Sequence, residues 1–262
     1  MEGLRYESRR PHRSPNRIHG NLVNRILQLR RKHPSWGALR IHATLARRGV
    51  RVSWITVHRV LKRHGFMVRF VRKPIPFKRF QRRPVDSLWQ VDVYKFRIRR
   101  ARGHSYVHTL LDGRSRYLVM ARAYRQERAR EITNNLWWAF KGGRKPTALY
   151  VEDGSCYISR EFRAYCEQQG IRVIYGRSYN PRGRGKLERF HGILTQELVG
   201  RVRFRSLSHF RRELYHWRRK YNQQRIHGGI GWKTPAKVYN DRRLMSRSRF
   251  RTSRTRSHVL TT

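Results

Sequence analysis

Three apolar runs follow one another from Leu88: LWQVDVYKF, HSYVHTLLD and RYLVMARAY. Each is rich in β-branched or aromatic residues, and Arg/Gly and Asp-Gly turns join them. Consecutive short strands of this kind predict an antiparallel meander. Helical spacing follows over Glu127 to Phe140, with Ile132, Leu136 and Trp137 on one face and Gly142-Gly143 as the stop. Next come a strand at Ala148–Val151, a helix near Arg160–Gln169, a strand at Ile171–Tyr175 and a long helix through Lys186–Leu198. This order predicts an α/β core, a mixed five-stranded sheet flanked by helices.

The stretch before Leu88 has a different period. Leu22, Ile26 and Leu29 share one helical face between Asn21 and His33. Pro34-Ser35 supplies the stop and N-cap for a second helix, with Ala38, Ile41 and Leu45 as its buried stripe and Gly49 at its end. Ser53 caps a third helix that turns Val57, Val60 and Leu61 inward and ends at Gly65. This is an all-α helix-turn-helix pattern. Trp54, Thr56, His58, Arg59, Lys62 and Arg63 are left facing outward, where a major-groove reading helix carries its contacts. The alternative is an ordinary three-helix bundle with a solvated charged face. The expected organisation is a basic arm over 1–19, the helix-turn-helix unit over 20–66, and an extended basic connector over 67–86. The sheet core and a helical extension occupy 87–240, and an Arg/Ser-rich disordered tail occupies 241–262.

Charge narrows the partners. The 262 residues carry 63 Lys+Arg against 15 Asp+Glu, a net charge of +48, which points to nucleic acid, because each phosphate neutralised releases counterions. An aromatic complement of 7 Trp, 13 Tyr and 11 Phe supplies packed cores and argues against a purely disordered condensing protein. Cys156 and Cys166 lack the paired spacing of a zinc site and read as reduced thiols. No apolar signal core or membrane-length stretch is present, so the expectation is a cytoplasmic, nucleoid-associated protein with no membrane partner.

With so few acids, their placement is informative. Asp92 stands in the middle of an apolar strand, where an unpartnered charge is expensive, and should face a site. Glu152 and Asp153 fall at the end of the fourth strand, and Glu188 lies on the helix entered through NPRGRGKLERFHG. Asp112 is better explained as the turn residue before Gly113. His191, three positions after Glu188, shares its helical side, with a structural role as plausible as a functional one.

The words WQVDVY, VEDGSCYISREF, NPRGRGKLERFHGILTQEL and YNQQRIHGGIGWKTPAKVY, in that order, resemble the retroviral-integrase-like transposases of bacterial insertion sequences. HPSWGALRIHATLARRGVRVSWITVHRVLKRHG extends the resemblance to the N-terminal helices, so that it runs from about residue 20 to 240. It implies an RNase H-like core with an Asp, Asp, Glu triad, binding two Mg2+ or Mn2+ ions. The expected activity is cleavage at the 3′ ends of a mobile element followed by strand transfer into target DNA. Asp92 takes the first triad position and Glu188 the last.

The middle position departs from the family, which writes Asp-Asn-Gly-Ser here. Matching GSCYISREF without a gap places Glu152 on the catalytic position and leaves 35 residues before Glu188, the family's spacing, whereas Asp153 leaves 34. Aspartate is the usual ligand, and the extra methylene of glutamate moves its carboxylate outward by about 1.5 Å. Register thus favours Glu152 and ligand chemistry favours Asp153; both are candidates. Arg182, Arg184, Lys186 and Arg189, around Glu188, are candidates for phosphate contact. Double-stranded DNA, as element end and as target, is the implied partner, bound by a homo-oligomer. The departure also motivates an alternative, a catalytically impaired DNA-binding derivative. An RNA-directed nuclease of the same fold is disfavoured by the helix-turn-helix.

Overall fold

The computed structural model describes residues 18–66, 84–98, 103–152, 154–176 and 185–245. The expected arm up to residue 17, the connector up to residue 83 and the tail beyond Met245 lie outside these residues; the first residues of the expected disordered tail are ordered, with a 3-10 turn over Arg242–Leu244 and Met245 bridged to Val85. The chain divides into two compact units, Met1–Arg72 and Lys73–Thr262.

The first unit holds α1 (Gly20–Lys32), α2 (Ala38–Arg47) and α3 (Trp54–Arg63). Ile26, Leu27, Leu29, Ile41, Leu45, Val57, Val60 and Leu61 form one core, so the predicted stripes meet. Arg30 ties the bundle's ends together by donating to the carbonyls of Trp36 and Phe66 at 2.7 and 3.0 Å. Gly49 and Gly65 adopt the positive φ that stops α2 and α3. Ser53 caps α3 by accepting from the Thr56 backbone at 3.1 Å. The start of α2 differs from the sequence expectation. Trp36 N bonds back to His33 O, and the two rings stack 3.9 Å apart. This turn consumes Pro34 and Ser35, so the N-cap is Gly37, with no side-chain cap.

In the second unit β1 (Trp89–Phe96), β2 (Ser105–Asp112) and β3 (Leu118–Tyr124) pair antiparallel. Beyond β1, β4 (Ala148–Val151) and β5 (Arg172–Tyr175) pair in parallel, giving the order β3-β2-β1-β4-β5. Helices cover both faces. Trp89, Val91, Leu149 and Val151 pack with Ile132 and Leu136 of α4 (Ala129–Lys141) and Phe162 of α6 (Arg160–Gln168). Phe96, Val107 and Leu118 pack with Phe190 and Leu194 of α7 (Gly185–Leu194) and with Phe210, Leu214 and Trp217 of α8 (Leu207–Gln223). The predicted mixed five-stranded sheet is therefore present. A one-turn helix, α5 (Ser155–Ile158), precedes α6, and a short α9 (Pro235–Tyr239) follows α8. The predicted long helix stays α-helical only to Leu194 and continues as a π segment over Thr195–Val199.

Strand β3 is an edge, and α8 closes it. The Asn222 side chain accepts from Leu118 N and donates to Leu118 O, at 2.9 and 3.0 Å, as a paired strand residue would. Arg211 and Arg218 donate to the carbonyls of Ala123 and Val119. Main-chain groups that would template another strand are occupied by side chains.

Asp112 is fully buried. Its carboxylate accepts from the backbones of Asp86, Arg114 and Ser115 and from the Ser115 hydroxyl, at 2.6 to 3.2 Å. Asp86, buried and at φ 56°, accepts in turn from Trp89 Nε1 and Arg144 Nε. These two carboxylates fix the entry to β1 and the β2–β3 turn. Asp112→Ala leaves several buried donors without an acceptor and is expected to cost about 3 kcal/mol or more, read from urea denaturation.

His108, buried in β2 against the edge of Tyr124, is held neutral because burial lowers its pKa to about 4. As pH falls below the unfolded value of 6.5 the unfolded chain takes up the proton and the folded chain does not, so stability falls from about pH 6.5 toward pH 4. Between pH 7 and pH 5 this residue should remove about 2 kcal/mol. In His108→Phe, which keeps the ring, urea midpoints at the two pH values should differ correspondingly less.

Candidate functional site

Alternation along β1 sends Trp89 and Val91 to the α4 and α6 face and Phe96 to the α7 and α8 face, so Asp92 belongs to the latter. The parallel register with β4 sets Trp89 opposite Leu149 and Gln90 opposite Tyr150. Carried two residues further, the same offset sets Asp92 level with Glu152, the first residue beyond β4. There the chain turns, with the Glu152 carbonyl accepting from Gly154 N at 2.8 Å.

Helix α7 crosses above β1. Tyr94 of β1 hydrogen bonds through its hydroxyl to Thr195 Oγ1 at 2.8 Å, and its ring lies 5.2 Å from that of His191. His191 Nδ1 stands 3.4 Å from Asp92 Oδ2, while Asp92 Oδ1 accepts from Val93 N. Burial pushes the His191 pKa down to about 4, so at neutral pH this is contact with an uncharged imidazole and not an ion pair. Glu188 is exposed in the first turn of α7, three positions before His191 and thus on the same side of the helix.

Tyr157, on α5, is buried in the core on the α4 and α6 face and feels the charge of Asp92 and Glu152. Its hydroxyl has no hydrogen-bond partner among the described residues. Its pKa is raised chiefly by burial, then by the negative charge of Asp92, with Cys156, Glu127 and Glu152 adding to it. Tyr157 and Glu127 were not marked by the sequence reading; nothing in SCYISREF separates a site tyrosine from a core one.

Asp92 and Glu152 offer carboxylate oxygens, the donor chemistry suited to a hard divalent cation. Among the described residues no group of three or more His, Cys, Asp or Glu is gathered to hold an ion. Asp153, Arg182 and Arg184 lie outside the described residues. Lys186 turns inward, donating to the Gly113 carbonyl at 3.0 Å, and its pKa is lowered to about 7 by burial foremost and then by Arg116. Arg189 is exposed. Both cysteines are free and buried.

On the other unit, Trp54, Arg59, Lys62 and Arg63 of α3 are exposed, and His58 is half-buried with its ring edge toward Trp54. Half-buried Thr56 spends its hydroxyl on Ser53 Oγ at 2.8 Å, within the helix cap. Ile55, which the sequence reading passed over, is 44% exposed on the same helix. Among the described residues no helix is long and apolar enough to cross a membrane.

Comparison with known proteins agrees with this architecture. Residues 83–181 and 169–235 each match the integrase core domain family, and residues 1–61 match a homeodomain-like domain. The Pol-related polyprotein of mouse intracisternal A-particle MIA14 is 28% identical over 132 residues, 50% of this chain; the chain spans only 15% of that polyprotein. A 31.7 kDa protein of insertion element IS407 from Burkholderia multivorans, itself uncharacterized, is 22% identical over 220 residues, covering 82% of this chain and 79% of its own length. The cryoEM structure of the simian T-cell lymphotropic virus intasome in complex with PP2A regulatory subunit B56 gamma is similar in fold. Its TM-score is 0.55 at 19% identity, covering 84% of this chain and 76% of the other. The two integrase core matches, which together span residues 83–235, place the chain in the integrase core domain family, with a homeodomain-like match before the core and an insertion-element protein among its relatives.

Proposed function

We propose that the protein is a DDE-type transposase, a polynucleotidyl transferase that cleaves the 3′ ends of its element and joins them to target DNA. The observation that carries this reading is the parallel pairing of β1 with β4, which brings the strand bearing Asp92 beside the strand that Glu152 follows, while α7, which bears Glu188, reaches Asp92 through His191. Asp92, Glu152 and Glu188 are the residues assigned to hold divalent metal, Mg2+ or Mn2+ at two sites, with Asp153 the rival to Glu152. Bound there, such cations polarise a phosphate and lower the pKa of an attacking water or hydroxyl.

The chain's own residues do the rest. His191, held neutral by burial, packs beside Asp92. Arg182, Arg184, Lys186 and Arg189 are assigned to neutralise phosphates around the reacting centre, Lys186 only after leaving the Gly113 carbonyl. Double-stranded DNA is engaged through Trp54, Thr56, His58, Arg59, Lys62 and Arg63, by a homo-oligomer that pairs two element ends, on DNA inside the cell.

A second reading, a DNA-binding derivative without catalysis, is favoured by one observation: three ligating groups are not gathered among the described residues. Purified protein, duplexes bearing the element ends, and Mg2+ or Mn2+ separate the two. The transposase reading expects strand transfer that falls at least about 100-fold in Asp92→Ala and in Glu188→Ala, since loss of even an outer partner of a metal ligand costs up to about that much. Glu152→Gln compared with Asp153→Asn then identifies the middle ligand. Salt-dependent DNA binding without transfer in either metal supports the derivative. Normal transfer by both alanine variants removes the site assignment.

A further inference from the structure

The inward face of α3 is set by Val57, Val60 and Leu61, all buried. At 100° per residue, the direction opposite their mean passes through Ile55, with Arg59 and Lys62 one and two turns further on. An isoleucine therefore stands at the centre of the helix's solvent face, in line with two exposed cations. It is 44% exposed and is absent from the core that the three helices share. A β-branched apolar residue gains nothing from water at this position, and a helix serving only as a bundle member would tolerate a polar residue there.

We infer that Ile55 is a base-reading residue that contacts the 5-methyl group of a thymine in the major groove, fixing a T·A pair within the recognised site. This rests on the reading of α3 as the helix that enters the groove. The first residues of such a helix approach base edges, while cations further along reach phosphates. Ile55 is the second residue of α3; Arg59, Lys62 and Arg63 follow it. The thymine methyl is the one apolar group on the major-groove edge of a base pair, and an aliphatic side chain is its natural partner. Charge complementarity selects the occupant. The net charge is +48, and the cations flanking Ile55 suit a polyanion whose groove floor offers small apolar targets. Trp54, the residue before it, is 45% exposed and its ring centre lies 6.4 Å from that of His58.

The test starts from selection of duplexes out of a random library by the full chain, at salt high enough to suppress phosphate-only binding. In the enriched sequence each thymine is replaced in turn by deoxyuridine, which removes only the methyl. At one position the wild-type protein should bind about fourfold more weakly, the effect of exposing one methyl-sized group. Ile55→Ala should show no difference between the two bases at that position while keeping the penalties of other substitutions. Circular dichroism melting shows that the variant is folded, as an exposed position permits. An enriched sequence in which no methyl effect depends on Ile55 overturns the inference while leaving α3 as a base reader. Failure to enrich any sequence, with salt-sensitive binding intact, overturns both. If Ile55→Ala instead changes the sedimentation or the melting temperature of the DNA-free protein and the methyl effect is absent, the face is covered by protein and the inference fails.

Discussion

The parallel pairing of β1 with β4 is short, resting on Trp89 opposite Leu149 and Gln90 opposite Tyr150, and the candidate site depends on it. Because side chains alternate with a period of two, a slip of one residue would turn Glu152 to the other face and leave Asp92 without a carboxylate at its level. Burial guards the register. Trp89, Val91, Leu149 and Val151 interlock on one face with α4 and α6, and none can be turned outward without exposing a large apolar surface. The position of a hydrophilic pair is thus set by the hydrophobic residues between its members.

The scarcity of acids shapes the second unit in another way. With 63 cations and 15 carboxylates, most arginines and lysines cannot find an acidic partner. Several donate to main-chain carbonyls instead: Arg211 to Ala123, Arg218 to Val119 and Lys186 to Gly113. Others lie over rings, as Arg144 does over Tyr239 and Lys141 over Trp137. Of the few acids, Asp86 and Asp112 are committed to structure, and Glu197 is held by Arg225. Internal cohesion is therefore drawn from the same residues that give the chain its positive charge.

The strands were legible because period-two apolar runs bounded by turn residues have few other interpretations, and the helical stripes because Leu22, Ile26 and Leu29, then Ala38, Ile41 and Leu45, then Val57, Val60 and Leu61 each recur at helical spacing. The start of α2 was misread because a ring stack between His33 and Trp36 outcompeted Ser35 as a cap. The π segment after Leu194 was invisible, since Thr195 Oγ1 bonds back to His191 O and to Tyr94, a residue 101 positions away. Asp92 stood out as a charge within an apolar run. That Glu152 follows the strand paired beside it depends on the β1–β4 register, which no local pattern encodes. Asp86 gave no signal because its left-handed backbone and its bond to Trp89 are properties of the assembled turn. Ile55 was missed for the opposite reason: an aliphatic residue in an amphipathic helix is assigned to the core by habit, and only its exposure identifies it as surplus to packing.

The closure of β3 by Asn222, Arg211 and Arg218 has a bearing on how copies of this chain meet. A sheet with one sealed margin cannot lengthen in both directions, so an endless stack of identical chains joined strand to strand is barred by geometry. Strand-to-strand pairing is left only to β5, the other margin, and pairing of that kind closes at two chains.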